Sequence, residues 1–172
     1  GTADPPEVHP LLKILVLIPC YNEEENLERV VTRLKEACPE VDYLVINDCS
    51  TDRSREICDE KGYSYISLPV NLGIGGGVQS GYLYAVERGY DVTVQMDGDG
   101  QHDPAYLRAL VQPVLDGRLD MAIGSRFITK DGFQSSALRR LGINIISLFI
   151  RLLTGKRVRD TTSGFRACNR AL

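Results

Sequence analysis

The chain has 172 residues, 43% of them hydrophobic and 25% charged, with a formal net charge of -3; that length holds one domain with a sizeable core, and the composition lacks the charge excess of disorder. Its five cysteines (Cys20, Cys38, Cys49, Cys58, Cys168) are odd in number and nowhere spaced C-x-x-C, which excludes a disulfide framework and a zinc ribbon and leaves reduced thiols of a cytosolic protein. Only His9 and His102 carry imidazoles, so a histidine-rich metal centre is excluded as well.

Gly1 to Pro10 is polar and proline-rich, without the pattern of a signal peptide, and reads as a flexible leader over 1–11. From Leu12 onward, apolar β-branched runs alternate with segments of helical period. Lys13 to Ile18 (KILVLI) is a short apolar run closed by Pro19, the mark of a buried parallel strand. Glu23 to Cys38 places Leu27, Val30, Val31 and Leu34 at helical spacing, with Asn22 as the expected N-cap. Asp42 to Asn47 is a second strand, and Ser50-Thr51-Asp52 opens a helix reaching about Lys61. Ser64 to Leu68 is a strand, Ile74 to Arg88 a helix, Asp91 to Met96 a strand, Pro104 to Leu115 a helix, and Asp120 to Ile123 a strand. No apolar run reaches the roughly 20 residues that span a bilayer.

This alternation predicts an α/β fold, a mostly parallel sheet with helices on both faces. Ligands of such sheets bind beyond the carboxyl ends of the strands. Polar and glycine residues gather at those ends: Pro19-Cys-Tyr-Asn-Glu23, Asn47 to Asp52, Asn71-Leu-Gly73, Asp97-Gly-Asp-Gly-Gln101 and Gly124-Ser-Arg-Phe127.

Asp97 and Asp99 are two residues apart in extended chain, so their carboxylates point the same way, and Gln101 continues the row with a neutral oxygen. Carboxylates this close repel unless a cation sits between them. Hard oxygen donors suit Mg²⁺ or Mn²⁺, which binds substrate phosphates. The competing reading is a solvated acidic turn, and the preceding apolar strand weighs against it. Asp48 is placed to accept from a nucleobase N–H, while Asp52 serves the following helix. The glycines at 73 and 75–77 lack the Lys-Ser/Thr of a P-loop and do not keep G-x-G-x-x-G spacing; their expected role is close packing, with a backbone contact to ligand second.

Taken together, Pro19-x-Tyr21-Asn22-Glu23, Asn47 to Asp52, Asn71-Leu72-Gly73, Asp97-x-Asp99-x-Gln101 and Gly124-Ser125-Arg126-Phe127 resemble the inverting family 2 glycosyltransferases. The likeness runs from Leu12 to about Ala167, and its nearest branch is that of the dolichyl-phosphate mannose synthases and bacterial polyprenyl-phosphate glycosyltransferases. The resemblance implies a GT-A fold, a UDP or GDP sugar as donor and Mg²⁺ or Mn²⁺ as cofactor. It implies a donor pocket of Pro19, Tyr21, Glu23, Asp48, Asn71, Gly73 and Asp97, and a metal held by Asp97, Asp99 and Gln101. Arg126 matches an arginine that contacts donor or acceptor phosphate, and Asp160 to Phe165 resembles a motif near the acceptor. Catalytic roles are therefore expected of Asp97, Asp99, Arg126 and Asp160. One departure stands out: Ile74 occupies a position where many relatives carry lysine.

The acceptor follows from charge. A hydroxyl acceptor needs a carboxylate to take its proton, but beyond Asp103 the only carboxylates are Asp116, Asp120, Asp131 and Asp160. A phosphate acceptor is already anionic. Residues 1–118 carry 10 basic and 20 acidic side chains, whereas 119–172 carry 10 basic and 3 acidic. Arg126, Arg139, Arg140 and Arg159 are thus expected to hold phosphate, which favours a polyprenyl phosphate over a saccharide hydroxyl. Leu138 to Leu153 is apolar with basic ends, and is either a helix for a membrane surface or a core helix. The expected whole is a catalytic domain over 12–172, truncated at its C-terminus, on the cytoplasmic side of a membrane. A non-catalytic sugar-nucleotide-binding module is the alternative of another class. No interleaved aromatics mark a nucleic-acid partner.

Overall fold

A computed structural model describes residues 12–124 and 164–172. Its elements run β1 (Ile14–Cys20), α1 (Leu27–Ala37), β2 (Asp42–Asn47), α2 (Ser54–Lys61), β3 (Tyr65–Ser67), α3 (Gly73–Glu87), β4 (Val92–Gln95), a 3₁₀ turn (Pro104–Tyr106), α4 (Leu107–Leu115), β5 (Met121–Ile123) and β6 (Arg166–Asn169). The strands form one sheet in the order β3-β2-β1-β4-β6-β5. The first four strands are mutually parallel, so their carboxyl ends share one edge.

The sheet is buried on both faces because its central strands, β1 above all, are apolar at most positions. Even-numbered β1 residues Val16 and Ile18 join Val45, Val92 and Val94 beneath α1, α2 and α4. Odd-numbered Leu15 and Leu17 join Leu44 and Ile46 on the other face, with Ala85 of α3. In α1 the buried residues are Leu27, Val30, Val31 and Leu34, a stripe at helical spacing opposite a charged face. The buried stripe of α3 is Gly77, Val78, Gly81 and Ala85. Small residues there let the helix lie close: a methyl group on Gly81 would come within 2.6 Å of Ile46 Cδ1 and 2.9 Å of Leu17 Cδ1. At the glycine-rich start of the helix the same methyl group would meet nothing within 4 Å at Gly73 or Gly75 and only an ordinary 3.8 Å contact with Ile46 at Gly77, so close packing demands glycine at Gly81 and not at those positions.

Three expectations change. Asn22 does not cap α1; that position falls to Asn26, because residues 23–26 form a turn first. The helix after β2 begins at Ser54, not Ser50, since Ser50 to Asp52 are spent on contacts with the loop after β1. And β6 runs antiparallel to both β4 and β5, so the sheet is mixed at this end. The segment is only four residues long, Arg-Ala-Cys-Asn, too brief to read as a strand. All five cysteines are free thiols. No helix among the described residues is long and apolar enough to cross a membrane.

Candidate functional site

At the carboxyl edge of the sheet lies a cleft of about 430 Å³ lined by Pro19, Cys20, Tyr21, Glu23, Asp48, Asn71, Gly73, Ile74, Gly77, Asp97, Gly98 and Asp99. Four segments separated in sequence, at the ends of β1, β2, β3 and β4, thus converge on one space. Every residue expected at the donor pocket lines it, as do Asp97 and Asp99. Gln101 is not among the lining residues; its backbone N–H donates to Asp99 Oδ1 at 2.9 Å. Arg126, Arg139, Arg140, Arg159, Asp160 and the stretch Leu138 to Leu153 lie outside the described residues.

The side of the cleft formed by the loops after β1, β2 and β3 is stitched by hydrogen bonds. Asn22, at φ 55°, accepts at Oδ1 from the Thr51 N–H at 2.8 Å, and its own N–H donates to Ser50 Oγ at 3.1 Å. Asparagine is among the few residues that tolerate this left-handed backbone. The Glu23 N–H donates to Ser54 Oγ at 3.0 Å. Asp52 accepts from the backbone N–H groups of Glu24 and Ser54, at 3.0 and 2.9 Å. Partial burial works to raise the Asp52 carboxyl, but the hydrogen bonds from Ser54 and Glu24 outweigh it and hold the group below the usual aspartate value. Asn47 reaches across to Ser67 Oγ at 2.8 Å.

Asp48 is 5% exposed, and its Oδ1 accepts from the Leu72 N–H at 2.7 Å. That bond ties the loop after β3 to the end of β2 and fixes the carboxylate at the cleft wall. Two thiols near this wall, Cys20 and Cys58, are buried. Burial pushes Cys20 up, and burial together with the neighbouring Cys20 pushes Cys58 up to about 12, so neither is a thiolate at neutral pH.

The side formed by the loop after β4 is built differently. Gly98 is required by closeness: a methyl group there would lie 2.7 Å from the Pro19 carbonyl oxygen. Gly100 has φ 76°, a turn that aims Asp99 back toward the cleft. Asp97 Oδ1 accepts from Gln95 Nε2 at 3.2 Å, and Oδ2 lies 3.1 Å from His102 Nε2. His102 is buried and its ring stacks on Phe165 at 5.2 Å between centroids and 17° between planes. A methyl group on Gly164 would overlap the Asp97 carboxylate. Sequence reasoning missed His102 and Gln95 as parts of the site, and expected Gly164 and Phe165, within the motif Asp160 to Phe165, near the acceptor and not against Asp97 and His102; the run Asp97-Gly-Asp-Gly-Gln-His102 held the signal for the first of them.

Among the described residues no three His, Cys, Asp or Glu side chains cluster as a closed metal cage. Two carboxylates at the lip of a cleft are the donor set of another kind of site. Mg²⁺ and Mn²⁺ are held by one or two carboxylates and complete their shells with water and phosphate oxygens. The residues therefore fit a divalent ion that arrives with a diphosphate.

A six-stranded α/β sheet covered on both faces, with an acidic cleft where its parallel strands end, defines a domain of the GT-A type. The chain belongs to glycosyl transferase family 2, whose description matches residues 15–172. It is 36% identical over 174 residues to the polyprenol monophosphomannose synthase of Mycolicibacterium smegmatis, covering 97% of this chain and 65% of that protein. It is also 36% identical over 162 residues to the undecaprenyl-phosphate mannosyltransferase of Micrococcus luteus, covering 91% of this chain and 66% of the relative. The chain thus spans just under two thirds of the length of these two proteins. Among solved structures, glucosyl-3-phosphoglycerate synthase of Mycobacterium tuberculosis in complex with Mn²⁺ and UDP-glucose superposes with a TM-score of 0.69 at 22% identity, over 93% of this chain and 57% of that one.

Proposed function

We propose that this chain is the donor-binding and catalytic domain, over residues 12–172, of an enzyme that transfers a sugar from a nucleoside diphosphate to a polyprenyl phosphate with inversion. The observation that carries the reading is the convergence of Asp48, Asp97 and Asp99 on one cleft. Asp48 accepts from an N–H of the base, with Pro19, Tyr21, Glu23, Asn71 and Gly73 around the nucleoside. Asp97 and Asp99, with Gln101, hold Mg²⁺ or Mn²⁺ at the diphosphate. When bound, the ion supplies positive charge that stabilises the departing diphosphate. The names of the relatives from Mycolicibacterium and Micrococcus support a polyprenyl phosphate as acceptor.

An acceptor phosphate attacks the anomeric carbon without first losing a proton, so no general base is required of the protein. Arg126, Arg139, Arg140 and Arg159 offset the charge of two phosphate-bearing substrates, and Asp160 belongs to the acceptor side. The basic C-terminal third sits against the cytoplasmic face of a membrane, where the lipid acceptor lies. Incubation with radiolabelled UDP and GDP sugars, Mn²⁺ and polyprenyl phosphate tests this directly. Label passing into the organic phase is the expected result; label transferred only to water-soluble saccharide would refute the acceptor assignment.

A further inference from the structure

The Asp97 carboxylate is gripped on more than one side by groups that the proposed reaction does not itself use. His102 Nε2 lies 3.1 Å from Oδ2. A carboxylate only accepts, so the imidazole must donate its Nε2–H. The ring has little freedom to turn away, with a side chain 5% exposed and one face stacked on Phe165. Gly164, the residue before Phe165, lies so close to the carboxylate that no side chain fits there. Phe165 and Gly164 are more than sixty positions away in sequence. They lead into β6, which pairs with β4 itself, with Gln95 opposite Arg166.

We propose that His102, braced by Phe165, is a positioning residue that holds Asp97 in the orientation in which it meets the metal–diphosphate end of the donor. This rests on the nucleotide-sugar reading above. Groups that orient a carboxylate ligand by hydrogen bonding raise metal affinity, and their loss typically costs 10–100-fold. The assignment also gives β6 a function. By pairing with β4 it places the preceding Gly164 and Phe165 against the aspartate and His102, so the metal end of the cleft is completed by a segment distant in sequence.

The test compares His102→Phe, which keeps the aromatic stack and removes the donor, with His102→Gln, which restores an N–H donor. His102→Gln nearly conserves volume and His102→Phe conserves the flat ring, so the two perturb the packing in different ways. Mn²⁺ binding in the presence of UDP, and separately of GDP, is measured by electron paramagnetic resonance of the free ion, without turnover. Melting temperatures are recorded without metal. His102→Phe is expected to weaken Mn²⁺ binding 10–100-fold while its metal-free melting temperature stays within a few degrees, and His102→Gln to recover most of the loss. Unchanged Mn²⁺ affinity in His102→Phe overturns the proposal, as does a loss in both variants that tracks melting temperature. Were the unaltered protein to bind neither nucleotide in a Mn²⁺-dependent way, the nucleotide-sugar reading itself would fall, an outcome distinct from either.

Discussion

The two sides of the cleft are constructed on opposite principles. The wall after β1, β2 and β3 is finished before any ligand arrives: Asn22, Ser50, Asp52 and Ser54 satisfy one another's loops through backbone N–H groups, and Asp48 is locked by Leu72. The lip after β4 presents two like charges, Asp97 and Asp99, with Gln95 and His102 on the first and a backbone N–H on the second. Hydrogen bonds orient these carboxylates but do not cancel their charge. A wall of the first kind recognises shape at little ordering cost. A lip of the second kind keeps its negative charge available to a cation.

The sharpest way to break this contrast is to remove a charge from the lip. Asp99→Ala is expected to lower turnover at least about a thousandfold, roughly 4 kcal/mol of barrier. It should also abolish metal-dependent donor binding while leaving the melting temperature nearly unchanged. Retained turnover in a labelled-donor assay would mean the diphosphate is stabilised elsewhere. Asp48→Asn probes the wall. An asparagine oxygen still accepts from Leu72 N, so the loop stays tied while the ligand-facing oxygen becomes an amide. Nucleotide affinity by calorimetry should fall by about 1.5–3 kcal/mol, the scale of a hydrogen bond to a charged group, with and without Mn²⁺ alike. A loss confined to the Mn²⁺ condition would erase the distinction between wall and lip.

The contrast also explains what could be read from the sequence. The wall is written in contiguous motifs, and strand ends are where a parallel sheet binds ligands, so Pro19, Tyr21, Glu23, Asp48, Asn71 and Gly73 were locatable together with Asp97 and Asp99. Their placement around one cleft follows from topology alone. What escaped depends on tertiary register. Asn22 reads as a helix cap by position, yet its oxygen is taken by Thr51, 29 residues on. His102 reads as an isolated imidazole until β6 brings Phe165 against it. The strand β6 is four residues long, too short to show a period, and its antiparallel direction breaks the strand-helix-strand rhythm from which the rest was inferred. Gly81 gave no signal either, since only the side chains of Leu17 and Ile46 reveal why a Cβ is excluded there.

Gly81→Ala separates scaffold from site. With two aliphatic side chains inside contact distance of the added methyl group, the expected cost is about 1–3 kcal/mol of overpacking, seen as a drop of roughly 2–10 °C in melting temperature. Helix α3 must shift, and Gly73 and Gly77 with it, so nucleotide affinity should weaken slightly and metal affinity at fixed nucleotide should not. An equal loss of both would show that wall and lip move as one body.

The smallest effect belongs to Asp52, and its sign is set by protonation. Its folded carboxyl is held below the ordinary aspartate value, so the stabilisation it gives is fully present above about pH 4, the unfolded value, and is lost as pH falls through the folded one. Asp52→Ala should therefore cost about 1 kcal/mol near pH 7, the scale of a lost helix cap. The gap between variant and unaltered protein should narrow steadily as pH drops below 4. Urea unfolding at a series of pH values reads both quantities. A gap that stays constant with pH would mean that packing, and not the charged acceptor for the N–H groups of Glu24 and Ser54, joins the first loop to the second. In that case the wall owes its rigidity to shape, and the separation between a hydrogen-bonded side and a charged side of the cleft loses its physical basis.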